Sequence, residues 1–238
     1  MSGSSSTPSS DGLGAVVGAL LLGGRCPCGA PGPGPCGPCA ATARPARPGP
    51  TPPALDRLIV GREYAGVTRE LVARVKYRNE RAAIDWLVAP IVAALAACIG
   101  PASEIVVTWA PTTDARRRAR GFDHAHLLAA AIARPLGLGV RPTLRRLDAM
   151  PQTGRDRAAR RDGPRMGTRH TIDAPVLLVD DVITTGSTLT VAARALRRAG
   201  APTVIGACIA RAGGARVGAD RHGVGMPRSS TRAQGRGR

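Results

Sequence analysis

Two adjacent carboxylates, Asp180 and Asp181, stand at the end of an unbroken apolar run, Val176–Val179, and Thr184, Thr185, Gly186, Ser187 and Thr188 follow closely. An apolar run of that kind marks a strand buried on both faces. Polar groups beyond the carboxyl end of such a strand lie where parallel α/β sheets bind their ligands. The hydroxyls of Thr184, Thr185, Ser187 and Thr188, with backbone N–H groups freed at a helix start, can encircle one phosphate. The positive end of the helix dipole favours that anion, and Gly186 lets the backbone come close. The two carboxylates can then accept hydrogen bonds from vicinal hydroxyls of a sugar joined to the phosphate. In the structural alternative the acids only cap the loop and Thr184–Thr188 supplies helix caps. Two adjacent anions repel, so a cap alone is a costly use of them.

Arg116, Arg117, Arg118 and Arg120 form a second cluster, just before Gly121 and Phe122. Guanidinium forks match phosphate oxygens well; a solvated basic turn is the plainer alternative. Cys26, Cys28, Cys36 and Cys39 form a third. Two closely spaced thiol pairs can satisfy tetrahedral Zn²⁺ and stabilise a module too small for its own core. A module of reduced free thiols stays open as the other reading, because Cys26-Pro27-Cys28 is spaced one residue closer than Cys36-Gly37-Pro38-Cys39. Cys98 and Cys208 fall inside expected elements and read as small buried hydrophobes. His124 and His126, two apart on an expected helix, face different directions and read as surface or partly buried residues, not joint metal ligands.

The elements that must position these groups follow from periodicity. Thr188–Ala199 carries Leu189, Ala192, Ala193 and Leu196 on one face and Arg194, Arg197 and Arg198 on the other, which predicts a helix, with Gly200 as its left-handed terminus. Thr203–Ile209 is the next apolar run. Strand, loop, helix and strand make a βαβ unit and imply a parallel sheet. Glu104–Trp109 reads as a further strand, and Ala65–Arg78, Arg81–Cys98 and Phe122–Arg134 read as helices, the last ending before Pro135. Asp148–Thr171 is polar and Arg-rich and is expected to be a long loop, functional or disordered. The expected fold class is therefore α/β, a parallel sheet flanked by helices.

The 238-residue chain is 43% apolar but only 2% aromatic, so its core must be built from Ala, Val, Leu and Ile. Its net charge of +18 comes almost wholly from Arg, with Lys76 the sole lysine. Abundant Arg, Ala, Gly and Pro together are what a GC-rich coding sequence yields, and the scarcity of aromatics removes the stacking platform of single-strand binders. The charge predicts affinity for anions, phosphorylated metabolites included, more than for nucleic acid. No run reaches the ~18 apolar residues that span a membrane. Leu13–Leu22 is short and lacks a basic flank, so a cytoplasmic address is expected. Four regions are expected: 1–23 as a disordered or short helical lead, 24–53 as the cysteine module with the linker-like run Ala43–Pro53, 54–210 as the folded body, and 211–238 as a disordered basic tail.

The segment Val176–Thr188 closely resembles the phosphoribosyl pyrophosphate signature of type I phosphoribosyltransferases. That resemblance implies that Asp180 and Asp181 contact the ribose hydroxyls at the catalytic centre and that Thr184–Thr188 hold the 5′-phosphate. Roughly residues 26–210 also resemble the ComF-type family, phosphoribosyltransferase-like proteins linked to DNA uptake in competent bacteria. The matching pieces are the four-cysteine module, Val75-Lys76-Tyr77-Arg78, the stretch Ala110–Leu128, Pro151-Gln152-Thr153-Gly154 and the ribose-phosphate loop, in that order. The likeness implies a zinc-ribbon-like module, a pyrophosphate subsite near Arg116–Arg118 and Arg120, and a ligand contact at Gln152. It further implies transfer of a phosphoribosyl group to an unknown acceptor, with Mg²⁺ carried by phosphoribosyl pyrophosphate, and a competence helicase or single-stranded DNA as partner. The chain departs from the family pattern at Val107-Thr108-Trp109-Ala110-Pro111, at Asp123-His124 and at Gly163, where the family has Asn. These changes leave the sugar-phosphate site intact and favour the alternative of a non-catalytic ribose-phosphate sensor.

Overall fold

The computed structural model describes residues 24–99, 104–113, 117–119, 121–147 and 165–213. Its elements are α1 (Gly37–Ala41), β1 (Arg57–Glu63), α2 (Gly66–Arg78), α3 (Ile84–Ala96), β2 (Val106–Trp109), α4 (His124–Ala133), β3 (Gly139–Val140), β4 (Leu144–Arg146), β5 (Met166–Thr168), β6 (Val176–Ile183), α5 (Ser187–Arg198) and β7 (Val204–Arg211). Five strands form one sheet in the order β1-β7-β6-β2-β3, every pair parallel; β4 and β5 pair separately and antiparallel.

The two faces of the sheet follow from strand alternation. Leu177 and Val179 of β6 pack with α2, α3 and α4 through Val67, Leu71, Leu87, Ile91, Leu128 and Ile132. Val176 and Leu178 point the other way, onto Leu189, Ala192 and Leu196 of α5 and onto Leu144 and Met166 of the β4–β5 pair. Period 2 in a strand sends neighbours to opposite faces. The helices after β2 and β6 therefore lie on opposite sides of the sheet, and a crevice opens between them beyond the strand ends. Crevices at such reversals are where open α/β sheets bind ligands.

The helices and the later strands stand close to where periodicity put them, while four details differ. β6 runs on through both acids to Ile183 instead of ending at Val179. Strand β1 carries no alternation that a pattern search would single out, because it is an edge strand with Ile59 as its one buried residue, and its Arg62 packs inward on the Trp86 ring and donates to the Trp86 and Leu87 carbonyls of α3. The Asp148–Thr171 stretch is not loop throughout: Met166–Thr168 forms β5 and buries Met166. The Ala43–Pro53 run is docked: Pro45 bridges Arg62, Arg44 C=O accepts from Glu63 N–H, and Pro52 is buried. Residues 1–23, 148–164 and 214–238 lie outside the described residues. No helix among the described residues is long and apolar enough to cross a membrane.

Candidate functional site

The end of β6 places Asp180 and Asp181 at the crevice, and alternation separates them. Asp181 continues the face of Leu177 and Val179, toward α2 and α4. There Lys76 Nζ of α2 and His124 Nε2 of α4 each stand 2.6 Å from its Oδ2. Its Oδ1 accepts the Val182 N–H at 2.6 Å. Asp180 lies on the other face, paired in register with Cys208 of β7, and its Oδ1 accepts the Asp181 N–H at 2.9 Å.

The electrostatics split the pair. Burial alone would raise the pKa of Asp181, but the His124 hydrogen bond and the nearby charge of Lys76 hold it down to about 2. Burial and the charge of Asp181 push Asp180 up to about 8. At neutral pH the pair is thus one carboxylate and one carboxylic acid, as expected for two acids in one site. Burial, reinforced by the two acids, also keeps the Cys208 thiol protonated.

His124 owes its position to Asp123. Asp123 caps α4, its Oδ1 accepting the Ala125 N–H at 3.1 Å, and its Oδ2 accepts Trp109 Nε1–H at 3.0 Å. The start of α4 is thereby tied to the end of β2. The expectation of a surface or partly buried His124 is corrected: the residue is 6% exposed and paired with Asp181. Lys76 is a site residue that sequence reasoning misses, although one lysine among 34 basic residues is a usable signal. Cys98 is corrected too, since it is exposed; Cys208 is buried as expected.

The loop after β6 turns at Gly186, whose φ of 77° is left-handed and where a Cβ would meet Pro52 Cγ at 2.8 Å. Gly186 is also the N-cap of α5. It has no side chain to cap the first turn; the Ser187 N–H donates to the Thr185 hydroxyl at 3.4 Å, a long contact that an anion at the helix start can replace. Thr184, Thr185 and Ser187 are exposed at the loop, and the Thr185 hydroxyl lies 3.2 Å from Ser187 Oγ. Two cavities flank this loop. One, of about 440 Å³, is lined by Lys76, Ala110, Thr112, His124, Arg146, Asp180, Asp181 and Thr188. The other, of about 730 Å³, is lined by Arg47, Glu63, Tyr64, Thr184, Thr185 and Arg211. Arg117 and Arg118 are exposed on a short helical turn. Arg116, Arg120 and Gln152 lie outside the described residues.

The four N-terminal cysteines come together despite their unequal spacing. A tight turn with Gly29 at φ 94° lets Cys26 N–H donate to Ala30 C=O, and Pro38 starts the short helix that carries Cys39. All four Sγ atoms lie within 4.8 Å of one another, with Cys26–Cys28 at 3.3 Å and Cys26–Cys36 and Cys28–Cys36 at 3.6 Å. Four sulfurs at ~2.3 Å from one tetrahedral ion would stand ~3.8 Å apart, so the cluster fits a metal. Although burial opposes it, the backbone N–H groups of Cys28 and Cys36 lower the Cys26 pKa to about 6. Arg74 holds the module to the body by donating to Arg25 C=O at 2.6 Å.

With this geometry in place, comparison with known proteins gives one match to a family. Residues 123–229 match the phosphoribosyl transferase domain. The match begins at the α4 cap and takes in Asp180, Asp181 and the Thr184–Thr188 loop. No curated protein gives a significant match. Among solved structures, the chain is similar to an allosteric regulatory enzyme of purine biosynthesis, at 20% identity and TM-score 0.36, over 53% of this chain and 25% of that one. A purine phosphoribosyltransferase from Pyrococcus horikoshii Ot3 overlaps at 18% identity and TM-score 0.35, covering 54% of this chain and 72% of that one. The hypoxanthine phosphoribosyl transferase of Trypanosoma cruzi overlaps at 14% identity and TM-score 0.33, covering 62% and 76%.

Proposed function

We propose that this protein binds phosphoribosyl pyrophosphate at the end of β6 and transfers its phosphoribosyl group to an acceptor, releasing pyrophosphate. The observation that carries this reading is the juxtaposition of Asp180 and Asp181 with a loop turning at Gly186 into an uncapped helix start, inside the segment similar to a phosphoribosyl transferase domain. The first-turn N–H groups of α5 and the hydroxyls of Thr184, Thr185, Ser187 and Thr188 bind the 5′-phosphate. The acids serve the sugar beside it. Lys76 and Arg146 give the adjoining cavity the cationic wall that a departing pyrophosphate needs, and His124 lines it beside them. The family resemblance adds Arg116–Arg118 and Arg120 as contacts for the pyrophosphate and Gln152 as a further contact.

Mg²⁺ fits this scheme as a passenger on the ligand. Asp181 is already paired with Lys76 and His124 and Asp180 is protonated at neutral pH, so the chain offers it little anionic charge. Bound to phosphate oxygens, Mg²⁺ supplies charge neutralisation at the leaving group. The larger cavity across the loop is the place for the acceptor. The cysteine cluster holds zinc as a structural ion, in keeping with its sulfur separations. A four-cysteine module ahead of such a domain supports the narrower ComF-type assignment, with a cytoplasmic role in DNA uptake.

A pyrophosphate-release assay with Mg²⁺ and phosphoribosyl pyrophosphate, run across purine bases, pyrimidine bases and small amines, tests the reaction. Release that depends on one acceptor class is the expected result. Tight binding with no release from any acceptor would make the protein a ribose-phosphate sensor instead.

A further inference from the structure

The cavity of about 730 Å³ across the loop holds a charge that the fold leaves unmatched. Arg211 ends β7, and its parallel register partner on β1 is Glu63. Their side chains leave the same face of the sheet, and opposite charges so placed attract. They are nevertheless not paired. Arg47 reaches in from the Ala43–Pro53 run, and its Nε donates to Glu63 Oε1 at 2.7 Å. The Arg211 guanidinium has no acceptor among the described residues, and its Nε is buried without a hydrogen-bond partner. A buried N–H of a cation left unpaired is costly. The same guanidinium lies against Gly49, where a Cβ would stand 2.7 Å from its Nη1 and 2.9 Å from its Cζ. The chain comes this close to Arg211 only because residue 49 has no side chain. Arg47–Pro50 make one wall of the cavity, opposite Thr184 and Thr185 of the phosphate loop.

We propose that Arg211 binds the acceptor and that the acceptor is a flat ring bearing a carboxylate. The inference rests on the ribose-phosphate reading of the neighbouring loop. The ionisable lining of the cavity is Arg47, Glu63, Tyr64 and Arg211. Arg47 and Glu63 satisfy each other, so one positive charge remains, and a single carboxylate neutralises it. A guanidinium takes a carboxylate through two parallel N–H···O bonds, which fixes orientation as well as charge. Tyr64, whose N–H donates to the Arg211 carbonyl at 2.8 Å, adds an aromatic surface for the ring, and the cavity has the size of a small-molecule site. Arg47 is a positioning residue here, since it keeps Glu63 from closing on Arg211. In the transfer, a nitrogen of the acceptor forms its bond to the anomeric carbon as the bond to pyrophosphate breaks. Pyrophosphate leaves with the electron pair, any proton on that nitrogen passes to water, and the carboxylate stays on Arg211 unchanged.

Matched acceptors test this: nicotinate against nicotinamide, anthranilate against aniline, and orotate against uracil, each with phosphoribosyl pyrophosphate and Mg²⁺ and the full chain. Pyrophosphate release gives kcat and KM, and calorimetry gives the affinity for ribose 5-phosphate and for phosphoribosyl pyrophosphate. The carboxylate member of at least one pair should be favoured roughly tenfold or more in kcat/KM, the scale of one charge-assisted contact. Arg211→Met should erase that preference through KM, while moving ribose 5-phosphate affinity by less than about threefold. Arg211→Lys, which keeps the charge but not the fork, should retain part of it. Arg47→Met, at an exposed side chain, frees Glu63 to pair with Arg211 and should also reduce the preference; it carries the test if Arg211→Met fails to fold. Phosphoribosyl pyrophosphate binding with no release from any carboxylate, or with equal use of both members of every pair, sinks the acceptor assignment and leaves the ribose-phosphate site standing. A loss of ribose 5-phosphate affinity in Arg211→Met as large as its loss of carboxylate use gives Arg211 to the 5′-phosphate and overturns the proposal. If the native chain, folded by its melting curve, binds no phosphoribosyl pyrophosphate, the ribose-phosphate reading fails, and the acceptor assignment with it.

Discussion

Asp180→Asn should make the protein more stable, by an amount that grows with pH. Asp180 has its pKa raised to about 8 by burial and by Asp181. Between its ordinary value near 4 and that raised value, the folded state keeps a proton that the unfolded chain has released. Stability therefore falls as pH rises through this window, by up to ~1.4 kcal/mol per pH unit. The opposite displacement of Asp181, down to about 2, is shared by both proteins and cancels in their difference. The gap therefore reaches at most about 5 kcal/mol once Asp180 is ionised. Asparagine keeps the shape and never ionises. The assay is thermal melting of both proteins from pH 4 to pH 9. The gap in Tm should be close to zero at pH 4, open steadily to at most about 10–20 °C by pH 8, and then level off. The general repulsion of a chain with net charge +18 acts on both proteins and largely cancels. A gap that does not change with pH, or a variant less stable than the parent at pH 8, would refute the reasoning.

Asp181→Asn should behave oppositely, costing about 2 kcal/mol at neutral pH because Lys76 and His124 lose their partner; melting curves should show that cost fading as pH falls from about 4 toward 2, and a cost unaltered at acid pH would contradict the pairing. Gly186→Ala forces a Cβ into a left-handed turn and against Pro52, so a loss of about 1–3 kcal/mol and weakened ribose 5-phosphate binding are expected by melting and calorimetry; wild-type values for both would count against the loop's role. Asp123→Ala removes the α4 cap and the Trp109 contact; a Tm drop equivalent to about 1–2 kcal/mol is expected, together with weaker pyrophosphate binding through a displaced His124. Elemental analysis should find one zinc per chain, and strong chelation should lower Tm; a metal-free protein with an unmoved Tm would leave Cys26, Cys28, Cys36 and Cys39 as plain thiols.

Much of this was legible because local patterns carry it. The Val176–Val179 run and the α5 periodicity announced a parallel βαβ unit, and the Thr/Gly/Ser stretch announced the turn at Gly186. The cysteine cluster was legible too, since the turn at Gly29 absorbs the shorter Cys26–Cys28 spacing. What sequence could not yield was long-range pairing. Nothing local to Lys76 or His124 says that α2 and α4 deliver them to one carboxylate oxygen. Nor does Asp180-Asp181 say that alternation will send the two acids to different faces. The continuation of β6 through its acids is hidden in the sequence because charged residues look like a strand's end, whereas pairing with Cys208 and Ala210 of β7 extends it. Composition alone makes the Ala43–Pro53 run look like a linker; its hold on β1 comes from backbone hydrogen bonds and a proline contact that composition does not encode.

The central claim is that the end of β6 is a site for phosphoribosyl pyrophosphate. Calorimetric titration of that ligand with Mg²⁺ into the full chain, beside the Asp180→Asn, Asp181→Asn double variant, tests it most directly. The account predicts saturable binding at one site per chain and its abolition in a double variant that still melts cooperatively. Absence of binding to the folded native chain, or equal affinity in the double variant, would contradict it.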